Sequence, residues 1–269
     1  MLLAVDVGNS HTTVGVFSKS SLVCELRLST RRGWTRDEFA VALRQTLALG
    51  SLDFDDLDDA IVACVVPPAL DPLCDALTHY AKVNPLVVGP GIKTGMPIRY
   101  EPPQDVGADR IVTAVAAWDR HGGGNRDADA GKGVIVVDFG TATTFDVVAP
   151  GPEYLGGVIA PGIGISADAL FARAARLPRV DMRRPASVVG RNTEAAIQSG
   201  LVYGYIGQVE GLVRRILDEV PWSGTVVATG GFAGTIATES DVIDIVDDAL
   251  VLEGLLLLHT RNRPTKTAR

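Results

Sequence analysis

Several residues that mark other classes of protein are scarce or wrongly spaced in this 269-residue sequence. The three cysteines are odd in number and the four histidines are scattered, so neither a disulfide framework nor a zinc site is indicated. We therefore expect reduced thiols in a cytoplasmic protein. The apolar stretch Leu250–Leu258 is too short to span a membrane and contains Glu253, and the N-terminus has no basic signal-peptide region.

Basic residues are also fewer than acidic ones. The chain has 25 Lys and Arg residues against 32 Asp and Glu residues, a net charge of −7. Because nucleic-acid surfaces need clustered Lys and Arg to neutralise phosphates, we expect no nucleic-acid partner. The short, interrupted apolar stretch and the N-terminus without a basic region lead us to expect no membrane partner. No GxxxxGK followed by Ser or Thr occurs, which excludes a P-loop kinase. The GxG at Gly162 and Gly164 lacks the third glycine of a dinucleotide-binding turn.

The segment Leu2–Phe17, LLAVDVGNSHTTVGVF, carries the clearest chemistry that is present. An apolar run reaches Asp6, turn residues follow at Gly8 and Asn9, and a second apolar run comes after them, which predicts strand, turn, strand. Glycine lets the backbone approach a ligand, and short polar side chains with backbone N–H groups suit phosphate oxygens. We therefore predict a phosphate-binding turn, with Asp6 beside it for hydrated Mg²⁺.

The same pattern recurs at Val136–Val148, VVDFGTATTFDVV, 132 residues further along the chain. The matched pairs are Asp6 with Asp138, Gly8 with Gly140, Asn9 with Thr141 and Thr12 with Thr144. One apolar-Asp-x-Gly copy is a common strand end, but two copies at one separation predict a duplicated domain. We expect an N-terminal domain over 1–120, a loop or linker over 121–133 and a C-terminal domain over 134–269, with both turns directed into one cleft.

Local signals add detail in the first half. Thr35 and Glu38 form a capping-box pattern that predicts a helix ending at Gly50. The apolar run Ala60–Val66 predicts a strand closed by Pro67-Pro68. Strands and helices in this order predict a mixed sheet with helices packed on it.

The segment Gly107-Ala108-Asp109-Arg110 follows a proline-rich approach and precedes apolar residues at helical spacing, so it occupies the first turn of a predicted helix. The helix dipole would hold Asp109 ionised and able to accept a proton. Arg110 offers a fork of donors to an anionic group. Aspartate is also a common capping residue in a first turn, so simple capping stays an alternative.

A long helix is predicted in the second half, capped by Asn192 or Thr193 and running towards Glu219. Its small residues permit the close approach of another helix; they are Gly200, Gly204, Gly207 and Gly211. Dimer packing and close packing within the domain both remain open.

The chain resembles the type III pantothenate kinases, of the acetate and sugar kinase, Hsp70 and actin superfamily. The motifs that carry the resemblance are DVGNSHT at 6–12, PPQDVGADRIV at 102–112, DFGTATTFD at 138–146, YLGGVIAPGI at 154–163 and TGG at 229–231. The resemblance implies an α/β fold of two similar ribonuclease H-like domains, each a mixed sheet flanked by helices. This is the actin-like ATPase fold, with the active site in the cleft between the domains. The implied reaction is ATP-dependent phosphorylation of pantothenate to 4′-phosphopantothenate, the first step of coenzyme A biosynthesis.

The resemblance also implies roles for individual residues. Asp109 would be the catalytic base toward the pantothenate hydroxyl, and Asp138 would bind a monovalent cation, K⁺ or NH₄⁺, needed beside Mg²⁺ with ATP. The implied ATP-binding residues are Asp6, Val7, Gly8, Asn9, Ser10, His11, Thr12, Thr13 and Thr141. The implied substrate-binding residues are Tyr100, Gly107, Ala108, Asp109, Arg110 and Thr193, the last of them acting from the partner subunit of a homodimer.

Two alternatives stay open at the level of the sequence. A kinase for another small hydroxylated substrate, such as a sugar or acetate kinase, would keep both aspartate turns but lack the GADR context. A catalytically inactive nucleotide-binding regulator or accessory protein would need no base. The joint presence of Asp6, Asp109 and Asp138 therefore favours an enzyme.

Overall fold

The computed structural model describes residues 1–123, 131–174 and 177–263. The chain forms two compact units. Unit 1 comprises Met1–Ala116 together with the chain from Ala249, and unit 2 comprises Ala117–Asp248. Residues 124–130 of the predicted 121–133 loop lie outside the described residues.

Unit 1 is built on a five-stranded mixed sheet of order β3-β2-β1-β4-β5. Its strands are β1 (Leu2–Val7), β2 (His11–Ser18), β3 (Ser21–Ser29), β4 (Asp59–Cys64) and β5 (Leu86–Val87). Its helices are α1 (Arg36–Leu49), α2 (Pro67–Ala76), the first part of α3 (Ala108–His121) and α7 (Leu250–Asn262). β1 pairs antiparallel with β2 and parallel with β4, so the strand that leads into Asp6 lies at the centre of the sheet.

Apolar side chains on β1 explain its central position. Leu3 and Val5 pack with Phe39 of α1 and Leu73 of α2 in one core cluster, and α7 contacts β1, β2 and β4. A strand covered by helices in this way reads as a continuous apolar run, as this one does. The sheet thereby fixes where β1 ends and the predicted phosphate-binding turn begins.

The predicted capping box of α1 is confirmed. The Thr35 side chain accepts from the Glu38 N–H, and Glu38 accepts from the Thr35 N–H at 2.8 Å. Gly50 ends the helix, as predicted.

Unit 2 repeats the plan of unit 1, with strand order β10-β9-β6-β7-β8. Its strands are β6 (Gly133–Phe139), β7 (Ala142–Val148), β8 (Tyr154–Pro161), β9 (Gly224–Gly230) and β10 (Ile245–Val246). Its helices are α4 (Ile163–Arg173), α5 (Thr193–Glu219) and α6 (Ala233–Ala237), together with the end of α3. β6 pairs antiparallel with β7 and parallel with β9, as β1 does with β2 and β4. The predicted duplication of a mixed-sheet domain is confirmed.

The two turns differ in length by one residue, which corrects the predicted alignment of the repeats. Asp6 lies opposite Thr13 across the β1–β2 hairpin, whereas Asp138 lies opposite Thr144 across the β6–β7 hairpin. Thr144 therefore occupies the position of Thr13, not that of Thr12. The constant separation of 132 residues holds as far as the glycines and fails in the shorter second turn.

The closing helix α7 packs in unit 1, whereas the sequence-based division counted it with the second half. Gly254 of α7 lies so close to the backbone of Val112 that a Cβ at this position would overlap the Val112 carbonyl oxygen. The imidazole of His259 contacts the Asp59 carboxylate at 3.0 Å, and Arg263 forms an ion pair with the same carboxylate. No sequence pattern revealed these contacts, because they join residues far apart in the chain.

The prediction for the end of β4 was wrong in detail. The strand stops at Cys64, and Pro67 and Pro68 begin α2 instead of merely closing the strand. Proline suits the first helical turn because the N–H groups there have no intrahelical partner. Within the described residues, no helix combines the length and the apolar character needed to cross a membrane.

Candidate active site

The β1–β2 turn of unit 1 is a tight hairpin. The Gly8 N–H donates to the His11 carbonyl oxygen at 3.0 Å, which leaves Asn9 and Ser10 as an exposed two-residue tip. Asp6 stands partly buried just before the turn. The turn thus presents backbone and short polar side chains, with one carboxylate at its base.

A segment that sequence reasoning missed braces this turn from the side. Thr30, just after β3, donates its N–H to the Ser10 carbonyl oxygen at 3.0 Å and its hydroxyl to the Gly8 carbonyl oxygen at 2.7 Å. The Thr12 and Thr30 hydroxyl oxygens lie 3.0 Å apart. Nothing in the spacing of these residues indicates the contact, since it depends on the pairing of β3 with β2.

Arg32 lies two residues beyond Thr30. Its Nη2 donates to Asn9 Oδ1 in the tip of the turn at 3.2 Å. The guanidinium is exposed. A cationic side chain therefore stands directly beside the predicted phosphate-binding turn.

Asp109 occupies the first turn of α3, as predicted. Its Oδ1 accepts the Arg110 N–H at 2.7 Å. Burial raises the pKa of the Asp109 carboxyl above its ordinary value of 3.8, and the N–H bond and the charge of Arg110 offset only part of this effect. The prediction that Asp109 is ionised and able to accept a proton did not anticipate this effect of burial on its pKa. A raised pKa makes this carboxylate a stronger base.

Within unit 1, Val65 links the turn to the start of α3. Its N–H donates to the Val7 carbonyl oxygen at 3.0 Å, and its Cγ1 lies 3.6 Å from the place that a Cβ on Gly107 would take. That Cβ would also stand 2.5 Å from Asp109 Oδ1, so the glycine leaves the space that the carboxylate uses.

The other substrate residues predicted in this part of the chain differ in their burial. Ala108 is the first residue of α3, and Arg110 is buried, with 8% of its surface exposed. Thr113 donates its hydroxyl to the Asp109 and Arg110 carbonyl oxygens, which fixes the first turn of the helix. Tyr100 is partly buried in the irregular segment before the helix.

In unit 2, Asp138 lies one residue before the end of β6, beside the backbone of Gly230 and Gly140. A Cβ on Gly230, whose φ is +91°, would stand 2.5 Å from Asp138 Oδ1, and a Cβ on Gly140 would stand 3.7 Å from it. Gly162, the N-cap of α4, lies so close to Thr141 that a Cβ would overlap the Thr141 carbonyl oxygen. The structure therefore groups Asp138 and Thr141 with glycines that bring the backbone unusually near.

A buried acid lies on the same sheet face as Asp138. Asp146 is fully buried, accepts the Tyr154 hydroxyl at 2.6 Å and accepts the Thr144 hydroxyl at 3.2 Å. Thr144 lies opposite Asp138 in the hairpin. These bonds fix the second strand of the hairpin behind the turn, a role that the sequence did not reveal.

Thr193, in unit 2, is exposed at the N-terminus of α5. Asn192, not Thr193, caps the helix and accepts the Ala195 N–H at 2.8 Å. Thr193 lines an open depression of about 720 Å³ together with Ser166 of α4 and Gly200 of α5.

The described residues contain no group of three or more His, Cys, Asp or Glu side chains placed to hold a metal ion. A cation at Asp138 would therefore use one carboxylate with backbone carbonyl oxygens, the oxygen-rich surroundings in which K⁺ is held. Gly230 and Gly140 bring the backbone close to this carboxylate, as such a ligand set requires.

Comparison with known proteins gives a consistent result. The family model for type III pantothenate kinase matches residues 2–215. The chain is 49% identical to the type III pantothenate kinase of Moorella thermoacetica, over 97% of this chain and 100% of that protein. It is 51% identical to that of Anaeromyxobacter sp., over 98% of this chain and 100% of that protein.

Solved structures show the fold. A Sinorhizobium meliloti protein assigned as a 2-dehydro-3-deoxygalactonokinase superposes with a TM-score of 0.60 at 15% identity, covering 100% of this chain and 99% of that one. The ethanolamine utilization protein EutJ of Carboxydothermus hydrogenoformans superposes with a TM-score of 0.53 at 14% identity, covering 96% and 89%. The chain has the two-domain, actin-like ATPase fold.

Proposed function

The chain belongs to the type III pantothenate kinase family, and from that premise we propose which of its residues carry the reaction. It phosphorylates pantothenate with ATP and a divalent metal, giving 4′-phosphopantothenate, the first step of coenzyme A biosynthesis. Phosphoryl transfer of this kind needs in-line positioning and neutralisation of charge more than covalent chemistry. Each residue therefore neutralises charge, positions a substrate or accepts the proton.

The β1–β2 turn binds the ATP phosphates in this proposal, through Asp6, Val7, Gly8, Asn9, Ser10, His11, Thr12 and Thr13. Its exposed tip and its close-set backbone support the assignment. A carboxylate at the base of the turn suits the water shell of Mg²⁺, which binds oxygen ligands and gives up water reluctantly. Asp6 takes that role.

Thr141 adds a second contact to ATP. It lies against Gly162, where α4 begins, and the N-terminus of a helix favours negative charge. The positive end of the α4 dipole thus supports the assignment, as does the match of Thr141 with Asn9 in the repeat.

Asp138 holds the monovalent cation, K⁺ or NH₄⁺, in this proposal. When bound, the cation supplies fixed positive charge near the transferred phosphoryl group. The chain's own contribution is the Asp138 carboxylate and the space that Gly230 and Gly140 leave around it.

Asp109 accepts the proton of the pantothenate hydroxyl, and its place in the first turn of α3, beside a glycine that leaves space for its carboxylate, carries the assignment; burial, which raises its pKa, supports it. A carboxylate that loses solvent holds a proton more readily, which is the property that a base for an alcohol requires. Gly107 and Ala108 contact the substrate at the start of α3 in this proposal, while Arg110 supplies charge for the pantothenate carboxylate. Tyr100 lines the approach.

Thr193 contacts pantothenate across a homodimer in this proposal. The face of α5 that carries Gly200, Gly204 and Gly207 supports dimer packing, since a Cβ at any of the three would meet nothing within 4 Å among residues 1–123, 131–174 and 177–263. Exposed apolar side chains at Ile159 and Ile165 belong to the same unit. We also propose a cytoplasmic location, where free thiols persist.

A coupled ADP-release assay tests the assignment. ADP release should depend on pantothenate, should not occur with glucose or acetate as acceptor, and should be faster in K⁺ than in Na⁺ buffer. Asp138→Ala should abolish the difference between K⁺ and Na⁺. Pantothenate-independent ADP release, or equal rates with a sugar, would contradict the proposal.

A further inference from the structure

We propose that Thr30 and Arg32, in the segment that joins β3 to α1, complete the phosphate site of this kinase. Thr30 acts as a positioning residue that holds the β1–β2 turn, and Arg32 binds the polyphosphate of ATP directly. The inference rests on the proposed binding of ATP by the β1–β2 turn. It adds residues outside that turn and outside the motifs of the sequence.

The first step concerns charge. The segment from Asp6 to Thr13 contains one carboxylate and neither Lys nor Arg. ATP with bound Mg²⁺ remains an anion, and proteins that transfer phosphoryl groups place Arg, Lys or metal ions around it. The turn therefore needs a cation from another part of the chain.

Arg32 stands where that cation is needed. Its guanidinium bonds Asn9 in the tip of the turn at 3.2 Å. Within residues 1–123, 131–174 and 177–263, Arg32 makes no ion pair with a carboxylate, whereas Arg36 pairs with Asp37 and Arg44 with Asp53. Guanidinium has five N–H donors, so the bond to Asn9 leaves others for phosphate oxygens.

The second step concerns how Thr30 positions the turn, which follows from the donors and acceptors of its hydrogen bonds. A hydroxyl has one hydrogen, and the Gly8 carbonyl oxygen can only accept it, so the Thr30 hydroxyl is the donor in that bond. In the 3.0 Å contact with Thr12, the Thr12 hydroxyl must then be the donor. The oxygen of Thr12 is left as an acceptor, suited to metal-bound water.

These bonds make the turn and the Thr30 segment one unit. Thr30 bonds to Gly8, Ser10 and Thr12, and so spans the turn from its first residue to the start of β2. Arg32 then follows at a fixed distance of two residues. The bonds of Thr30 therefore fix both the orientation of the turn and the position of the Arg32 guanidinium beside it.

The test of Arg32 compares Arg32→Gln with Arg31→Gln. Arg31 is the matched control, because it is the neighbouring residue, is also exposed and makes no bond to the turn. Charge-assisted bonds of this type predict that Arg32→Gln raises KM for ATP by about ten-fold or more, while KM for pantothenate stays within about two-fold. Arg31→Gln should leave both constants within about two-fold.

Thr30 is tested by Thr30→Val and Thr30→Ser. Valine keeps the shape and removes the hydroxyl, so it should raise KM for ATP several-fold without changing KM for pantothenate. Serine keeps the hydroxyl and should restore KM for ATP. If Thr30→Val folds poorly, the KM for ATP of Thr30→Ser, Arg32→Gln and Arg31→Gln tests the inference instead.

The outcomes separate this inference from the proposed function. An inactive wild-type enzyme in the pantothenate assay would contradict the proposed function. An active wild-type enzyme with equal KM for ATP in Arg32→Gln and Arg31→Gln would overturn the assignment of Arg32. Equal effects of Thr30→Val on both substrates, with no rescue by serine, would overturn the assignment of Thr30.

Discussion

The backbone of Gly230 lies against the carboxylate of Asp138, so that a Cβ at residue 230 would stand 2.5 Å from Asp138 Oδ1. The φ of Gly230 is +91°, a conformation that other residues rarely adopt. Residue 230, at the end of β9, is therefore glycine for two reasons: its φ is positive, and a side chain there would collide with the Asp138 carboxylate. Both reasons concern the residue assigned to the monovalent cation.

Gly230→Ala should weaken activation by K⁺, because its methyl group would displace the Asp138 carboxylate. We expect the K⁺ concentration at half-maximal rate to rise by about ten-fold or more, equivalent to ~1.4 kcal/mol. The measurement is the initial rate against K⁺ concentration at constant ionic strength. Gly231→Ala is the matched control, since a Cβ there meets nothing within 4 Å. Equal K⁺ curves for the two variants would contradict the assignment.

Asp109→Asn should stabilise the protein at neutral pH while it lowers turnover. The folded protein raises the pKa of Asp109, so folded chains bind this proton more tightly than unfolded chains, and ionisation costs stability above the raised pKa. The stabilising effect of the variant should be full at pH 8 and should fade as the pH drops through the raised pKa. Thermal unfolding of both proteins from pH 4 to pH 8 measures this. A lower Tm for the variant at pH 8 would count against a buried, costly carboxylate.

Asp59 should anchor α7, since it contacts His259 and Arg263 at the end of that helix. Asp59→Asn should lower the free energy of unfolding by ~1–2 kcal/mol, a partly screened value because the side chain keeps 24% of its exposure. Asp58→Asn is the neighbouring control: Asp58 is 90% exposed and pairs with the N-terminal amine, so its loss should cost less than ~0.5 kcal/mol. Urea unfolding measures both. Equal losses would show that α7 does not depend on Asp59.

The helix face of α5 gives a test of the proposed homodimer. Gly204→Glu adds a charged side chain at a position where a Cβ would meet no atom of the described residues within 4 Å, so the fold should persist while the dimer dissociates. Light scattering after gel filtration should give the mass of one 28.3 kDa chain for the variant and of two for the wild type. Gly151→Glu, at another open glycine of unit 2, should remain a dimer. Unchanged mass for Gly204→Glu would exclude this face as the interface.

Sequence patterns predicted the parts of the fold that depend on near neighbours. The capping box of α1 needs only Thr35 and Glu38, and the first turn of α3 needs only the prolines and the apolar spacing around Asp109. The repeated hairpins were visible because each lies within one short segment. Duplication then implied the equivalent order of strands in the two sheets.

The features that escaped prediction depend on residues distant in the chain. α7 packs in unit 1 through Gly254, which lies against Val112, and through His259, which contacts Asp59. The sequence of α7 alone does not reveal either partner. The burial that raises the pKa of Asp109 depends on the folded chain around it, which no local sequence pattern reveals. Thr30 reaches the turn only after β3 pairs with β2.

The role of Asp109 as the base is the central claim, and turnover of Asp109→Asn tests it most directly. Asparagine keeps the shape and can accept the Arg110 N–H, but it cannot take a proton. Turnover should fall roughly 10²–10⁴-fold, the usual loss for a general base, while the dissociation constants of ATP and pantothenate stay within about three-fold. Near-normal turnover in the folded variant would contradict the account.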